Sequence, residues 1–393
     1  PGPETPGPET PDVLVVGGGV VGLGVAWRLA GLGRRVTLLE RGRTGRGATH
    51  AAAGMLSPAL EIGFEELDLY ALSRESLRRW PAFARALERA AGRSVGYRDE
   101  GALDVATDRD EAAALRRRFR FQQAHGVPVE WLAGDAAQEL EPLLAPGLPG
   151  AVFAPGDHQV DNRALAAALA EAARRAGVRI LEDAPVAAVL PREAGPAVRL
   201  ASGDTLGARA VVLAAGAWSR GVEGLAPAAP PVRPLKGQML ALRMAAPLAL
   251  RLVVRSPEAY LVPKADGRLV VGATSEEQGF DTRVTAGGLY RLLEGAVRVV
   301  PAVEELELAE TWAGLRPASR DHAPILGRSA HPGVVYATGH YRHGILLAPV
   351  TADEVAADVH ALLDGHPPPS DALAPFSPRR FGGARAAGAP GSA

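Results

Sequence analysis

A glycine-rich segment near the start of the chain has the residue types that bind a dinucleotide pyrophosphate. After an apolar, β-branched run, Gly17, Gly19 and Gly22 follow the spacing G-x-G-x-x-G. The first glycine permits a tight turn, the second lets a pyrophosphate approach the backbone, and the third lets a helix pack closely on a strand. The N-terminus of that helix, with Val20 and Val21, then faces the phosphates.

A carboxylate closes the second predicted strand of this βαβ unit. Glu40 ends the apolar run Val36 to Leu39, and Arg41 follows it directly. A carboxylate at this place accepts hydrogen bonds from ribose hydroxyls and repels the 2′-phosphate of NADP. The pattern therefore predicts a dinucleotide site, and the motif by itself fits FAD and NAD equally.

Small side chains fill the segment behind the acidic strand, GATHAAAGML, residues 47–56. A ligand can approach such a backbone closely. The segment resembles the one that touches the pyrophosphate and flavin in the glycine oxidase and D-amino-acid oxidase family of FAD enzymes. The resemblance implies FAD as cofactor and places Met55 also near the flavin ring and the substrate, with core filling as its alternative role. The cofactor contacts implied here are Ala48, Thr49, Ala53, Gly54 and Met55.

His50 raises the question of covalent flavin attachment. Some amine-oxidising relatives attach flavin to a histidine close to this position, and there the histidine precedes two alanines and a glycine. His50 instead precedes Ala51, Ala52 and Ala53 before Gly54. We therefore expect FAD to be bound non-covalently, with His50 as a polar neighbour of the phosphates.

Two segments in the middle of the chain add cofactor contacts. In this family a strand such as PVAAVL places a valine backbone against the adenine, which maps to Val186, although a valine in such a run is more often core. The apolar run ARAVVLA ends in Ala215, Gly216 and Ala217, whose small side chains let a cofactor lie against the backbone. Gly216 therefore joins the predicted site.

A glycine-bounded loop before the last predicted helix repeats the phosphate-site arrangement at the flavin end. Its backbone N–H groups and the helix N-terminus can face the pyrimidine oxygens of a flavin and stabilise negative charge there. No metal site is predicted, because the two histidines of this loop have no third ligand nearby and the chain has no cysteine. The family resemblance implies cofactor contacts from His340, Tyr341, Arg342, His343, Gly344, Ile345 and Leu346.

Three residues are predicted to hold or shape the substrate, besides Met55. In WAGLRPASRDHAPILG, Arg316 aligns with the family's arginine that grips an amino-acid carboxylate. A planar guanidinium offers two parallel donors to the two carboxylate oxygens and so also fixes the substrate's orientation. Tyr260, in AYLVP, aligns with the active-site tyrosine. Arg342 aligns with a second arginine that reaches the carboxylate, although His343 follows it where asparagine is usual. A surface arginine and a half-buried strand tyrosine are the ordinary alternatives.

These patterns predict an α/β fold with a Rossmann-like FAD-binding domain and a second α+β substrate domain on a mostly antiparallel sheet. Asp161 and Gly177 are expected to bound an alanine-rich helix. The FAD-binding domain is assigned residues 12–80, 155–225 and 314–363, and the substrate domain residues 81–154 and 226–313. The repeated PGPET at 1–11 and the segment rich in Pro, Gly and Ala at 366–393 are predicted to be flexible tails.

The composition excludes several classes of protein. The 43 basic and 44 acidic residues among 393 leave a net charge of −1, so bulk charge gives no argument for nucleic-acid binding. No apolar run approaches the ~18 residues of a membrane span. The absence of cysteine excludes a disulfide framework, and we expect a cytoplasmic protein.

The family resemblance implies oxidative deamination of glycine and similar small amines, such as sarcosine or short D-amino acids, by hydride transfer to FAD. O2 would be reduced to H2O2, and the glycine imine would supply the thiazole of thiamin. The resemblance also implies a homo-oligomer. Two alternatives stay open: a dehydrogenase of D-amino acids or other amines that uses an acceptor other than oxygen, and a non-catalytic FAD-binding assembly protein.

Overall fold

The computed structural model describes residues 10–192, 195–246 and 248–381. Buried apolar runs form most of the strands, whereas amphipathic and alanine-rich stretches form the longer helices. The α-helices in these ranges are α1 (Val20–Gly31), α2 (Ala48–Ala51), α3 (Pro58–Glu61), α4 (Leu67–Ala91), α5 (Arg109–Ala124), α6 (Gly134–Leu140), α7 (Asn162–Arg175), α8 (Ala286–Val299) and α9 (Ala348–Leu363).

The strands form two large and two small sheets. In chain order they are β1 (Val13–Val16), β2 (Val36–Leu39), β3 (Met55–Leu56), β4 (Ala102–Ala106), β5 (Glu130–Leu132), β6 (Gly150–Ala154), β7 (His158–Gln159), β8 (Arg179–Leu181), β9 (Val186–Leu190), β10 (Ala197–Leu200), β11 (Thr205–Gly207), β12 (Ala210–Leu213), β13 (Arg233–Arg243), β14 (Val253–Arg255), β15 (Tyr260–Pro263), β16 (Arg268–Gly272), β17 (Glu307–Ala318), β18 (Ile325–Arg328) and β19 (Val334–Thr338).

The first large sheet has the strand order β18-β19-β12-β1-β2-β8, and every pairing except β18 with β19 is parallel. Helices α1, α4, α7 and α9 pack together, and α1 and α9 contact its strands directly. The small antiparallel sheet β9–β11 covers the other face, where Leu14 and Val16 share a core with Val189 and Val198. Burial on both faces explains why β1, β2 and β12 consist almost entirely of Val and Leu. The predicted Rossmann-like layer is confirmed.

The second large sheet has the order β17-β13-β16-β15-β14-β4-β6-β5. Its pairings are antiparallel except that of β14 with β4. Helix α8 packs its apolar residues Leu292, Ala296 and Val299 on one face. The other face carries the side chains of Tyr260 and Trp312, which share an apolar cluster with Met55. This is the mostly antiparallel sheet that the sequence predicted.

The strands of the two large sheets fall in the chain segments that the sequence analysis assigned to two domains. The chain passes between the sheets several times, because β4 to β6 are inserted between β2 and β8. Two elements cross the proposed boundaries: α4 spans residue 80, and β17 runs past residue 313 to Ala318. The two-domain division stays a prediction, and β17 belongs to the second sheet over its whole length.

The prediction of a flexible tail from residue 366 was wrong for residues 371–381. This segment packs on the parallel sheet: Phe376 is 3% exposed, and the Arg380 guanidinium binds the Asp321 carboxylate at 2.7 Å. The composition of this segment is typical of a disordered chain, but its apolar side chains Leu373 and Phe376 pack into the apolar core and anchor it. The predicted tails at 1–9 and 382–393 lie outside the described residues. None of the helices in the described ranges is long and apolar enough to cross a lipid bilayer.

Trp80 is the largest side chain at the contact of α4 with the chain before α9. It is fully buried, and its indole N–H donates to the Leu346 carbonyl at 2.9 Å. We expect Trp80→Ala to lower the free energy of unfolding by about 3–5 kcal/mol, because it leaves a cavity and removes one of the two hydrogen bonds to the Leu346 carbonyl. Denaturant unfolding of the FAD-bound protein measures this, with exposed Leu32→Ala as control. Equal stability of the two variants would contradict this packing.

Candidate active site

A cavity of about 1140 Å³ lies where the carboxyl ends of the parallel strands meet the antiparallel sheet. Its wall includes the ends of β1, β2 and β12, together with residues of β15 and β17 from the second sheet. In open α/β sheets, ligands bind at this edge, outside the carboxyl ends of the strands. The fold therefore brings the dinucleotide motif and the predicted substrate residues to one space.

The glycine motif forms a tight turn at one end of the cavity. Gly17 has φ +109°, and a Cβ at Gly22 would overlap the Gly17 carbonyl oxygen, so neither position accepts a side chain. Helix α1 begins at Val20, whose N–H donates to the Thr49 hydroxyl oxygen at 3.0 Å. This bond fixes the small-residue segment around Thr49 against the helix N-terminus, where anions bind.

Glu40 is fixed beside this turn by two backbone hydrogen bonds. Its carboxylate accepts from the N–H of Gly18 at 2.7 Å and from the N–H of Gly42 at 3.0 Å. A carboxylate has about four acceptor sites, so two remain for the hydroxyls of a ribose. Next to it, the guanidinium of Arg41 lies 3.6 Å from the ring centre of Trp218. This end of the cavity fits the ribose and pyrophosphate of a dinucleotide.

Most of the predicted site residues line this one cavity. Those in its wall are Gly17, Gly19, Val20, Val21, Glu40, Arg41, Ala48, Thr49, Ala53, Gly54, Met55, Val186, Gly216, Tyr260, Arg316, His340, Tyr341, Arg342, Gly344 and Ile345.

Three predicted cofactor residues and His50 lie behind the wall. Gly22 supports the turn from the helix side, and the Leu346 carbonyl is occupied by the hydroxyl of Ser76 and the indole of Trp80. His343 is 4% exposed and faces Glu61. The His50 ring points to Glu310, with 4.0 Å between the nearest nitrogen and oxygen atoms, and does not line the cavity. This placement corrects its predicted position beside the phosphates and agrees with non-covalent FAD.

Arg316 lies at the other end of the cavity, on β17. Its Nη1 donates to the Thr274 carbonyl at 3.1 Å and approaches the Lys236 carbonyl at 3.5 Å. A Cβ at Gly237, on the neighbouring strand β13, would lie 2.5 Å from Nη1, so glycine there leaves room for the guanidinium. Within the described residues no carboxylate lies at ion-pair distance from Arg316, and the charge of Glu61 acts on it only from farther away. Its remaining donors are available to a ligand.

Tyr260, at the start of β15, shares this end of the cavity with Arg316. Its hydroxyl donates to the Met239 sulfur at 3.3 Å. Burial raises the pKa of the Tyr260 phenol, and the neighbouring Arg316 charge opposes that rise. The phenol therefore stays neutral near pH 7 and keeps a proton that it can donate to an anion.

Sequence reasoning missed Arg255 and Glu61, which also line the cavity. Arg255 lies directly across the β14–β15 pairing from Tyr260, and its Nη1 is 3.6 Å from a Glu61 carboxylate oxygen. No hairpin was predicted before AYLVP, so the strand that carries Arg255 was not recognised. Nothing in the sequence around Glu61 indicates its role, because α3 is a single turn whose placement depends on the buried carboxylate of Asp157.

His343 lies between Arg342 and Glu61. Its Nε2 accepts a hydrogen bond from Arg342 Nε at 3.3 Å, and its Nδ1 lies 3.4 Å from Glu61. Arg342 is also 3.6 Å from Glu61 and 3.7 Å from Glu66. Arg342 is thus held at the cavity wall by these two acids. Its contact with a substrate carboxylate stays a prediction, because Arg342 would have to move away from both acids to make that contact.

A Rossmann-like sheet, a cradle for a pyrophosphate and an anion-binding guanidinium in the same cavity define a dinucleotide-dependent oxidoreductase. A family model described as "FAD dependent oxidoreductase" matches residues 12–358. The chain belongs to this family, and its cofactor is FAD, bound non-covalently.

Individual relatives agree with this family. The chain is 40% identical over 349 residues to a glycine oxidase of Geobacillus kaustophilus, covering 88% of this chain and 92% of that one. The crystal structure of a glycine oxidase from that organism matches with a TM-score of 0.87 over 94% of this chain and 98% of that chain. A bifunctional ThiO/ThiG protein of Synechocystis is 37% identical over 94% of this chain, which spans only 54% of that relative's length.

The neutral His343 gives the stability of the fold a pH dependence. Burial lowers the pKa of His343 to about 4, against 6.5 for the unfolded chain. The unfolded chain therefore binds this proton first, and stability is lost as the pH falls from about 6.5 to 4. Between about pH 7 and pH 5, protonation of His343 should lower the free energy of unfolding of the wild type by roughly 2 kcal/mol, and His343→Asn should lack this contribution.

Denaturant unfolding at both pH values checks this, and His125→Asn, at an exposed histidine, is the control. The assignment of His343 as a buried neutral group is contradicted if the wild type and His343→Asn lose the same stability on acidification.

Proposed function

We propose that this protein oxidises glycine and similar small amines, including sarcosine and short D-amino acids, to imines, with O2 reduced to H2O2. The observation that carries this proposal is the position of Arg316. Its guanidinium shares a cavity with the dinucleotide cradle and has no carboxylate of the described residues at ion-pair distance, whereas Arg255 and Arg342 beside it both pair with Glu61. A ligand carboxylate is the natural partner for such a group.

Bound FAD supplies the oxidant for a carbon–hydrogen bond next to an amine. The contribution of the chain is to bind and orient the substrate. Arg316 holds the carboxylate through parallel N–H donors, and the Tyr260 phenol adds a third donor from β15 of the same sheet. With the carboxylate fixed at two points, the α-carbon of a small amino acid has a defined position in the cavity, which supplies much of the rate enhancement.

The charge at this end of the cavity acts on the substrate amine as well. Arg255, Arg316 and Arg342 line the wall there against the carboxylate of Glu61. An excess of positive charge lowers the pKa of an amine placed among these groups. The neutral amine, whose lone pair assists removal of hydride from the adjacent carbon, is therefore the form that the site favours.

The relatives support the substrate class. Several of the curated proteins that match over most of their length are glycine oxidases, and one structural neighbour at 29% identity is an iminodiacetate oxidase. The similarity to bifunctional ThiO/ThiG proteins supports a role in making the glycine imine for the thiazole of thiamin. We also propose that the protein acts in the cytoplasm as a homo-oligomer, which light scattering of the purified protein tests.

A peroxide assay tests the reaction. With glycine, sarcosine and D-alanine as separate substrates, we expect one molecule of H2O2 for each amine oxidised. Reduction of the flavin by these amines without peroxide would instead identify a dehydrogenase that uses another acceptor. Bound FAD that none of these amines reduces would contradict the proposed function.

Arg316→Ala tests the carboxylate anchor. Loss of a buried, charge-assisted pair costs about 2–5 kcal/mol, so kcat/KM for glycine should fall by roughly 30-fold to several thousand-fold, mainly through KM. The dissociation constant of FAD should stay unchanged, because Arg316 lies at the opposite end of the cavity from Glu40. Arg243→Ala, at an exposed position of the neighbouring strand β13, is the control. Ordinary glycine kinetics in Arg316→Ala would remove this residue from the site.

A further inference from the structure

A stack of three side chains crosses the cavity away from the substrate residues. The Arg41 guanidinium lies on the Trp218 ring, and Trp218 stacks with Phe280 at 5.4 Å between ring centres and 27° between ring planes. All three side chains line the cavity. Arg41 and Trp218 come from loops of the parallel sheet, whereas Phe280 comes from the loop between β16 and α8 of the other sheet.

Core packing does not explain this stack. Phe280 is 54% exposed, and neither aromatic ring belongs to an apolar core formed by the described residues. Ligand pockets are lined mainly by apolar and aromatic side chains, so two rings in the wall of this cavity fit a binding role. The rings therefore present apolar surface to whatever occupies the cavity.

The Phe280 loop is fixed to its own sheet. The backbones of Lys236 and Glu276 exchange two hydrogen bonds of 3.0 Å, and the buried Lys236 ammonium lies 3.9 Å from both Glu276 and Asp281. At the end of the loop, the Thr285 N–H donates to the Gln238 side chain at 2.7 Å. Phe280 is thus held over the cavity by an anchored loop.

The partners of Phe280 sit beside the cofactor end. Arg41 follows Glu40, the carboxylate that suits a ribose, and Trp218 is two residues beyond Gly216, at the end of β12. The stack therefore joins the two sheets across the part of the cavity that fits the dinucleotide. We propose that Arg41, Trp218 and Phe280 form an aromatic clamp that closes over bound FAD and slows its release. This inference depends on FAD as cofactor and is independent of which amine is oxidised.

Phe280→Ala tests the clamp through cofactor binding. Removing the Phe280 ring takes away its proposed contact with bound FAD, so the dissociation constant of FAD should rise about tenfold and its release from the holoenzyme should be faster by a similar factor. Recovery of flavin fluorescence measures both. Phe280→Tyr keeps the ring and should bind FAD like the wild type. Tyr290→Ala, which removes an exposed aromatic ring outside the cavity, should also leave FAD binding unchanged.

Three results would overturn the proposal. The first is a dissociation constant and release rate for Phe280→Ala within about twofold of the wild type. The second is an equal loss of FAD affinity in Tyr290→Ala, which would show a general effect of removing surface aromatics. The third is a raised KM for glycine in Phe280→Ala with unchanged FAD affinity, which would assign the ring to the substrate.

A second variant tests whether the clamp acts as one unit. In a Trp218→Leu background, Phe280 has lost its stacking partner, so Phe280→Ala should change the FAD dissociation constant by less than about twofold. A full, roughly tenfold effect in that background would show that the ring acts without Trp218 and would overturn the clamp. Thermal unfolding of the FAD-free variants verifies that each one folds.

Discussion

A guanidinium that is partly buried without an acid partner is the feature on which the site depends. Arg316 donates to the backbone carbonyls of Lys236 and Thr274 and interacts with the Tyr260 phenol, and none of these three partners is a carboxylate. Carbonyl oxygens carry only partial charge, so the cost of removing the cation from water is not fully offset. A bound carboxylate would offset it, and this requirement connects the packing of β13 and β17 to substrate recognition.

The long strand β17 connects this cation to the cofactor cradle. Its Trp312 indole donates to the Ala51 carbonyl at 3.2 Å, in the small-residue segment behind Glu40. Six residues later, Ala318 bridges to His340, where the loop at the proposed flavin end begins. One extended element thus contacts both cofactor segments and carries Arg316 between them, so the distance from anchor to cofactor is set by rigid backbone.

Structural features that depend on local residue spacing were predicted correctly from the sequence. The glycine turn, the strands Val13–Val16 and Val36–Leu39, and the Asp161 cap of α7 all stand where the spacing indicated. Long-range contacts were not predicted from the sequence. They are the pairing of Arg255 with Tyr260, the placement of Glu61 by Asp157, and the burial of Phe376 within a segment whose composition is typical of disorder. The orientation of His343 was also missed, since it depends on acids about 280 residues earlier in the chain.

A crystal structure of the holoenzyme with glycolate, which replaces the amine of glycine by a hydroxyl, would show whether Arg316 anchors a substrate carboxylate. We expect the glycolate carboxylate to accept parallel hydrogen bonds from the Arg316 guanidinium and a further one from the Tyr260 phenol, with its α-carbon against the flavin. Glycolate bound elsewhere, with Arg316 contacting only the carbonyls of Lys236 and Thr274, would contradict it.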